Sequence, residues 1–313
     1  MRLLTYETAP GARVGVLRGE RVVELALGYG RIGRPAPGSL DELIAGGEEA
    51  WTTARRAVEV LAPEDGVPLD GLRLAPPFIP RTIICGGANF ADHLDETHRE
   101  KPDHVEFFLK SPTGVVGAGT DVRMDRALST KYDYEVELGI VIGRPARNVM
   151  REAALDYVCG YTIINDVSIR DRQVIPWDPG RYQLRFGEGK SYRDSAPLGP
   201  WLVTADELPD VSTLGLRTRV SGQLRQNNSM RNIIWDVPAL ISYYSTYMTL
   251  EPGFLIAAGT PGGPALGSDV ELGADPYERR DGVVRGAYVP DGALVECEID
   301  GIGVLANRYV VAD

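Results

Sequence analysis

Tyr132-Asp133-Tyr134-Glu135-Val136-Glu137-Leu138-Gly139-Ile140-Val141-Ile142-Gly143 decides how the rest of the chain is read. Tyr134, Val136, Leu138, Ile140 and Ile142 alternate, the period of a strand with one face on a core. The opposite face carries Glu135, Glu137, Gly139 and Val141. Side chains two residues apart on a strand point the same way, with Cα atoms roughly 7 Å apart. If that face also turns inward, the two carboxylates repel and lose hydration, which is costly unless something compensates. A hard divalent cation compensates well, because carboxylate oxygens are the ligands Mg²⁺, Mn²⁺ and Ca²⁺ prefer. A solvated strand face with cross-strand Arg partners is the other reading of the same pair.

With 313 residues the chain can bury a large core as one domain or two. A net charge of -11 argues against nucleic acid or an anionic membrane surface as the main partner. Lys occurs only at 101, 110, 131 and 190, so a Lys inside a motif carries weight. Cys85, Cys159 and Cys297 are far apart, lack metal-ligand spacing and read as buried free thiols. The N-terminal stretch lacks the pattern of a signal peptide and no apolar run approaches ~18 residues. A cytoplasmic protein is expected.

Residues 13–25 read as two short strands around an Arg18-Gly19-Glu20 turn. Ser39-Leu40-Asp41-Glu42 has the form of a capping box opening a short helix, and 48–61 reads as a second helix. Five prolines between 62 and 81 read as a link, giving a small N-terminal domain over 1–75 and a main body over 76–313. In the body, His93 and Glu96 lie one helical turn apart. A solvated histidine is the plainer reading of His93 taken alone. Residues 97–110 read as a mobile polar loop, and 174–188, with Trp177, Tyr182 and Phe186, as a long loop that walls or covers a site. Asp166 ends an apolar strand, where a turn former is the common reading. Gly259-Thr260-Pro261-Gly262-Gly263-Pro264 follows another strand and could bring backbone N–H groups to an anion. Glu296, Glu298 and Asp300 alternate on a closing hairpin and read as a solvated face.

Taken together, Asn89-Phe90-Ala91-Asp92-His93 with Glu96, Tyr134-Glu135-Val136-Glu137-Leu138, Asn165-Asp166-Val167-Ser168 with Arg170-Asp171 and Gln173, Gly189-Lys190-Ser191, Pro197-Leu198-Gly199-Pro200 and Gly259-Thr260-Pro261 resemble the fumarylacetoacetate hydrolase family over roughly 80–310. The resemblance implies an α+β, mostly β fold: a mixed β-sandwich roll with the small N-terminal α/β domain. It also implies Mg²⁺ (Mn²⁺ or Ca²⁺ in some members), a homodimer and small oxo or enol acids as substrates. By family position Glu135, Glu137 and Asp166 hold the metal, and His93 with Glu96 activates water. Lys190 faces a substrate oxygen, while Arg170, Gln173 and Thr260 bind substrate. Three protein oxygens with open positions are what a Lewis-acid metal needs to polarise a 2-oxo acid.

The sequence departs from the family at Phe90, where Tyr is usual, at Gly86-Gly87-Ala88, and at Arg193, where Asp is expected. Arg193 either adds a positive charge favouring a second substrate carboxylate or faces solvent. The leading expectation is a hydrolase cleaving a C–C bond in an acylpyruvate- or fumarylpyruvate-like dioxo acid of aromatic catabolism. Decarboxylation or enol–keto isomerisation of a related acid is the alternative, and a catalytically silent ligand-binding relative the alternative of another class.

Overall fold

The structure, a computed structural model, describes residues 1–178, 181–272 and 283–312. Two sheets dominate it. The larger runs, in spatial order, through Val67–Pro68, Arg21–Glu24, Gly11–Arg18, Arg2–Thr8, Ala196–Thr204, Val158–Asn165, Val136–Ile142, Phe254–Ala257, Thr82–Gly87 and Glu106–Lys110. Most neighbours are antiparallel, but Phe254–Ala257 runs parallel to Thr82–Gly87, so the sheet is mixed. The smaller sheet orders Gln223–Ser229, Gly215–Val220, Leu294–Ile299, Gly303–Ala312 and Val122–Asp125.

The central strand Val136–Ile142 is buried at every residue because both of its faces are covered. Val136, Leu138, Ile140 and Ile142 pack with Leu216, Val220, Val295 and Ile299 of the smaller sheet and with Leu240 and Tyr244 of the helix Val237–Tyr247. Val141 faces the other way, into a core with Leu198, Leu202 and Leu255 that the N-terminal helices close with Leu43, Trp51 and Ala54. The alternation read from sequence is therefore correct, and the second face also turns inward.

Two of the helices start at side-chain caps. Ser39 Oγ accepts from Glu42 N at 3.2 Å at the start of Leu40–Ala45, and Asp236 Oδ1 accepts from Ala239 N at 3.0 Å at the start of Val237–Tyr247. The proline-rich stretch 62–81 is more ordered than a link. Its Leu74–Ala75 pairs with Arg2–Thr8 and its Val67–Pro68 with Arg21–Glu24. Two further expectations change. Residues 97–110 are not wholly a loop, because Glu106–Lys110 pairs along Thr82–Gly87. Residues 174–188 contain the hairpin of Val174–Asp178 with Arg181–Leu184 and the start of the short helix Phe186–Lys190. Glu298 and Asp300 do lie on a half-exposed face, paired with Arg217 and Arg219. Among the described residues no helix is long and apolar enough to cross a membrane.

Candidate active site

Strand register brings the acids together. Val136 stands opposite Asn165 in the antiparallel pair, so Glu135 and Asp166, each one step beyond that rung, meet at the same end. Asp166 N donates to Glu135 O at 2.9 Å, and Glu135 N donates to Asn165 Oδ1 at 2.9 Å. Glu137 joins them from its own strand. The carboxylates of Glu135, Glu137 and Asp166 are buried, and each offers an oxygen within 4.8 Å of the others. This set of three hard oxygen donors suits a divalent cation.

Their charges are handled unequally. Burial, then the charges of Asp166 and Glu135, push the Glu137 carboxyl well above the usual carboxylate range. For Glu135 burial works against the charged form, but Arg170 and Lys190 outweigh it and hold its carboxyl well below that range. The Lys190 ammonium donates to Glu135 Oε2 at 2.5 Å and Asp166 Oδ2 at 2.7 Å. Burial opposes its charge, while Asp166 and Glu135 raise its pKa nonetheless. Its Nζ also lies 5.5 Å from the centroid of Phe108, whose ring stacks on Phe186 at 4.4 Å.

His93 and Glu96 do meet on the short helix Ala91–Glu96, with Nδ1 and Oε1 2.7 Å apart. Thr97 Oγ1 donates to the His93 carbonyl at 2.7 Å. The imidazole keeps 15% exposure, while the glutamate is buried. Both His93 and the three acids line a cavity of about 330 Å³, together with Lys190, Gln173 and Thr260. Its remaining walls are largely apolar, with Leu94, Phe108, Val174, Leu184, Phe186 and Leu266. The hairpin of Val174–Asp178 with Arg181–Leu184 thus contributes a wall through Val174, Tyr182 and Leu184, as the sequence anticipated.

The glycine-rich loop after Phe254–Ala257 does bring amides to anions, but to the protein's own carboxylates. Gly259 N donates to Glu137 Oε2 at 2.8 Å, and Gly263 N to Glu96 Oε2 at 2.9 Å. Ala265 N and Leu266 N donate to the two oxygens of Asp133 at 2.8 and 3.1 Å. Gly259 is required there, since its φ is +99° and a Cβ would stand 2.7 Å from Asn89 Cβ. Thr260 Oγ1 donates to Val136 O at 3.1 Å and accepts from Gln226 Nε2 at 2.8 Å.

Arg170 borders the cavity with its guanidinium already committed. It donates to Asp133 Oδ2 at 2.7 Å, Gln173 Oε1 at 2.7 Å and Glu135 Oε1 at 2.5 Å. Arg193 is 72% exposed and is absent from the cavity lining, so the solvent-facing reading of that residue is correct. The additional buried cation is Lys110. Its Nζ lies 2.7 Å from Asp166 Oδ1 and donates to the carbonyls of Lys190 and Val167 at 2.5 and 3.1 Å. Sequence reading missed Lys110 and Asp133. The signal for Lys110 was the apolar run Phe107-Phe108-Leu109 before one of only four lysines.

The fumarylacetoacetate (FAA) hydrolase C-terminal family model matches residues 82–310. Oxaloacetate tautomerase YisK of Bacillus subtilis is 36% identical over 283 residues, covering 87% of this chain and 86% of its own. The mitochondrial oxaloacetate tautomerase fahd2 of Xenopus laevis is 32% identical over 317 residues, covering 99% and 90%. Among solved structures, maleylpyruvate hydrolase from Sphingobium sp. SYK-6 with manganese(II) ion and pyruvate superposes with a TM-score of 0.75 at 28% identity, over 100% of both chains.

Proposed function

The chain belongs to the fumarylacetoacetate hydrolase family, and from that premise we propose that it is a divalent-metal-dependent enzyme that interconverts the enol and keto forms of a small 2-oxo dicarboxylate of the oxaloacetate kind. The observation that carries the proposal is the His93–Glu96 pair, 2.7 Å apart, on the wall of the cavity that also takes Glu135, Glu137, Asp166 and Lys190. Residues 76–313 would carry the chemistry, with 1–75 as a small N-terminal unit and a homodimer as the working form.

Glu135, Glu137 and Asp166 would hold Mg²⁺ or Mn²⁺, which when bound supplies Lewis-acid polarisation of the 2-oxo acid. His93 acts as the base that removes a proton from the carbon beside the carbonyl, while the carbonyl oxygen gains one, so no atom is lost overall. Glu96 fixes the imidazole tautomer and is itself fixed by Gly263 N–H. Lys190 stabilises the negative charge that develops on the substrate oxygen. Gln173 turns its Oε1 to Arg170, which leaves its amide N–H₂ for the substrate. Thr260 and Arg170 shape the floor beside it.

Two relatives named oxaloacetate tautomerase, covering 87% and 99% of this chain, favour this reaction over cleavage. Hydrolysis of a C–C bond in an acylpyruvate-like dioxo acid is the second reading, with His93 deprotonating water. The likeness to maleylpyruvate hydrolase supports it. Following loss of enol absorbance from oxaloacetate, beside cleavage of an acylpyruvate panel, each with Mg²⁺ and Mn²⁺, separates the two. Enzyme-dependent ketonisation that His93→Ala abolishes supports tautomerisation; cleavage without ketonisation overturns it in favour of hydrolysis.

A further inference from the structure

Glu135, Glu137 and Asp166 line the cavity with Arg170 and Lys190, and behind them lie three more buried charged groups, Glu96, Asp133 and Lys110. Once a divalent ion holds Glu137 in its charged form, the five carboxylates, the three cations and the ion sum to zero with His93 neutral, and taking away one cation leaves the set net negative. Of the three, Lys110 is the one that does not line the cavity. Its side chain is fully buried at the end of the strand Glu106–Lys110. There its ammonium meets one carboxylate, Asp166, and two backbone carbonyls, those of Val167 and Lys190. Its hydrogen bonds go to the two carbonyls, while Asp166 Oδ1 stands against it as an ion pair at 2.7 Å. Burial lowers the pKa of this ammonium and Asp166 supports its charge; Lys110 thus stands behind the site as a counter-charge, reaching the proposed metal ligand Asp166 and the backbone of Lys190 at once.

We propose that Lys110 sets the charge of the loaded centre: standing behind Asp166 and the Lys190 backbone, its buried positive charge makes the site accept an anionic substrate. This rests on the functional reading above. A buried charge is weakly screened, so its field acts on a ligand that Lys110 never touches. The same field opposes a cation. Losing Lys110 therefore weakens anion binding without weakening metal binding, whereas general damage to the site weakens both.

The test uses Lys110→Gln, which is polar and close in size but carries no charge, and Lys110→Arg, which keeps it. Calorimetry measures Mn²⁺ binding, then binding of oxalate, a small dianion able to chelate the ion, to the Mn²⁺-loaded protein. For Lys110→Gln we expect oxalate affinity to fall about tenfold or more, with Mn²⁺ affinity unchanged or tighter; Lys110→Arg should stay within about threefold of the parent for both. Oxalate affinity within twofold of the parent in Lys110→Gln overturns the proposal, as does a parallel loss of Mn²⁺ and oxalate. If Lys110→Gln does not fold, Lys110→Arg decides alone, and more than a tenfold loss of oxalate affinity in the folded protein overturns it. Failure of the parent protein to bind Mn²⁺ or oxalate would instead strike the functional reading itself.

Discussion

Glu96 is held from two sides: His93 Nδ1 approaches its Oε1 at 2.7 Å, and Gly263 N–H reaches both of its oxygens, at 3.1 and 2.9 Å. A carboxylate fixed in this way fixes in turn which imidazole nitrogen carries the proton and which is left to face the cavity. His93→Ala removes the base and should lower turnover on the best substrate by roughly 10²-fold. Steady-state assays check this, and a change of only about twofold would remove His93 from the mechanism.

Gly267 offers a gentler way to disturb the same pair. A Cβ there would stand 2.5 Å from Glu96 Cδ and 2.7 Å from its Oε2, a contact too close to keep. Gly263 N–H limits how far the carboxylate can yield. Gly267→Ala should therefore lower kcat by roughly 10- to 100-fold through misplacement of the dyad. Mn²⁺ affinity should be retained, because the three clustered acids are not touched. Unchanged kcat in a folded Gly267→Ala protein would show that dyad placement does not limit the reaction.

The acid cluster should behave as one ligand set. Losses among outer-shell partners of metal sites already run to roughly 10–100-fold. Glu135→Ala, Glu137→Ala and Asp166→Ala should each weaken Mn²⁺ by about 100-fold or more, measured by calorimetry or by the free Mn²⁺ signal in electron paramagnetic resonance. Normal metal binding in all three would dismantle the proposed centre.

Asp133 makes a prediction about stability rather than rate. It is fully buried and accepts from Arg170 Nε at 2.7 Å and from the amides of Ala265 and Leu266. Asp133→Ala would leave Arg170 with one of its counter-charges missing and three backbone amides, those of Tyr134, Ala265 and Leu266, without this acceptor. Breaking a buried pair this way costs about 3–5 kcal/mol. Urea unfolding of the protein should show a midpoint lowered to match, and a loss below about 1 kcal/mol would mean that the loop 259–266 finds other partners.

The sequence by itself determined the central strand, the pairing of Glu135 with Glu137 on one of its faces, and the helical spacing of His93 and Glu96. These are local properties, set by side-chain periods of two and of 3.6 along a few residues. It also carried the helix cap Ser39, whose partner lies three residues away. What only the tertiary structure decided is which distant groups meet those residues. Lys110 reaches the Val167 and Lys190 carbonyls across 57 and 80 positions, and Gly259 and Gly263 reach Glu137 and Glu96 across 122 and 167. Arg170, expected from the family resemblance to bind substrate, is placed by folding between Asp133 and Glu135, so its charge also balances the protein's own acids. No local period encodes such encounters; they follow from strand order, which sets Thr82–Gly87 between Phe254–Ala257 and Glu106–Lys110 and so gathers the dyad, the loop and Lys110 around one set of buried carboxylates.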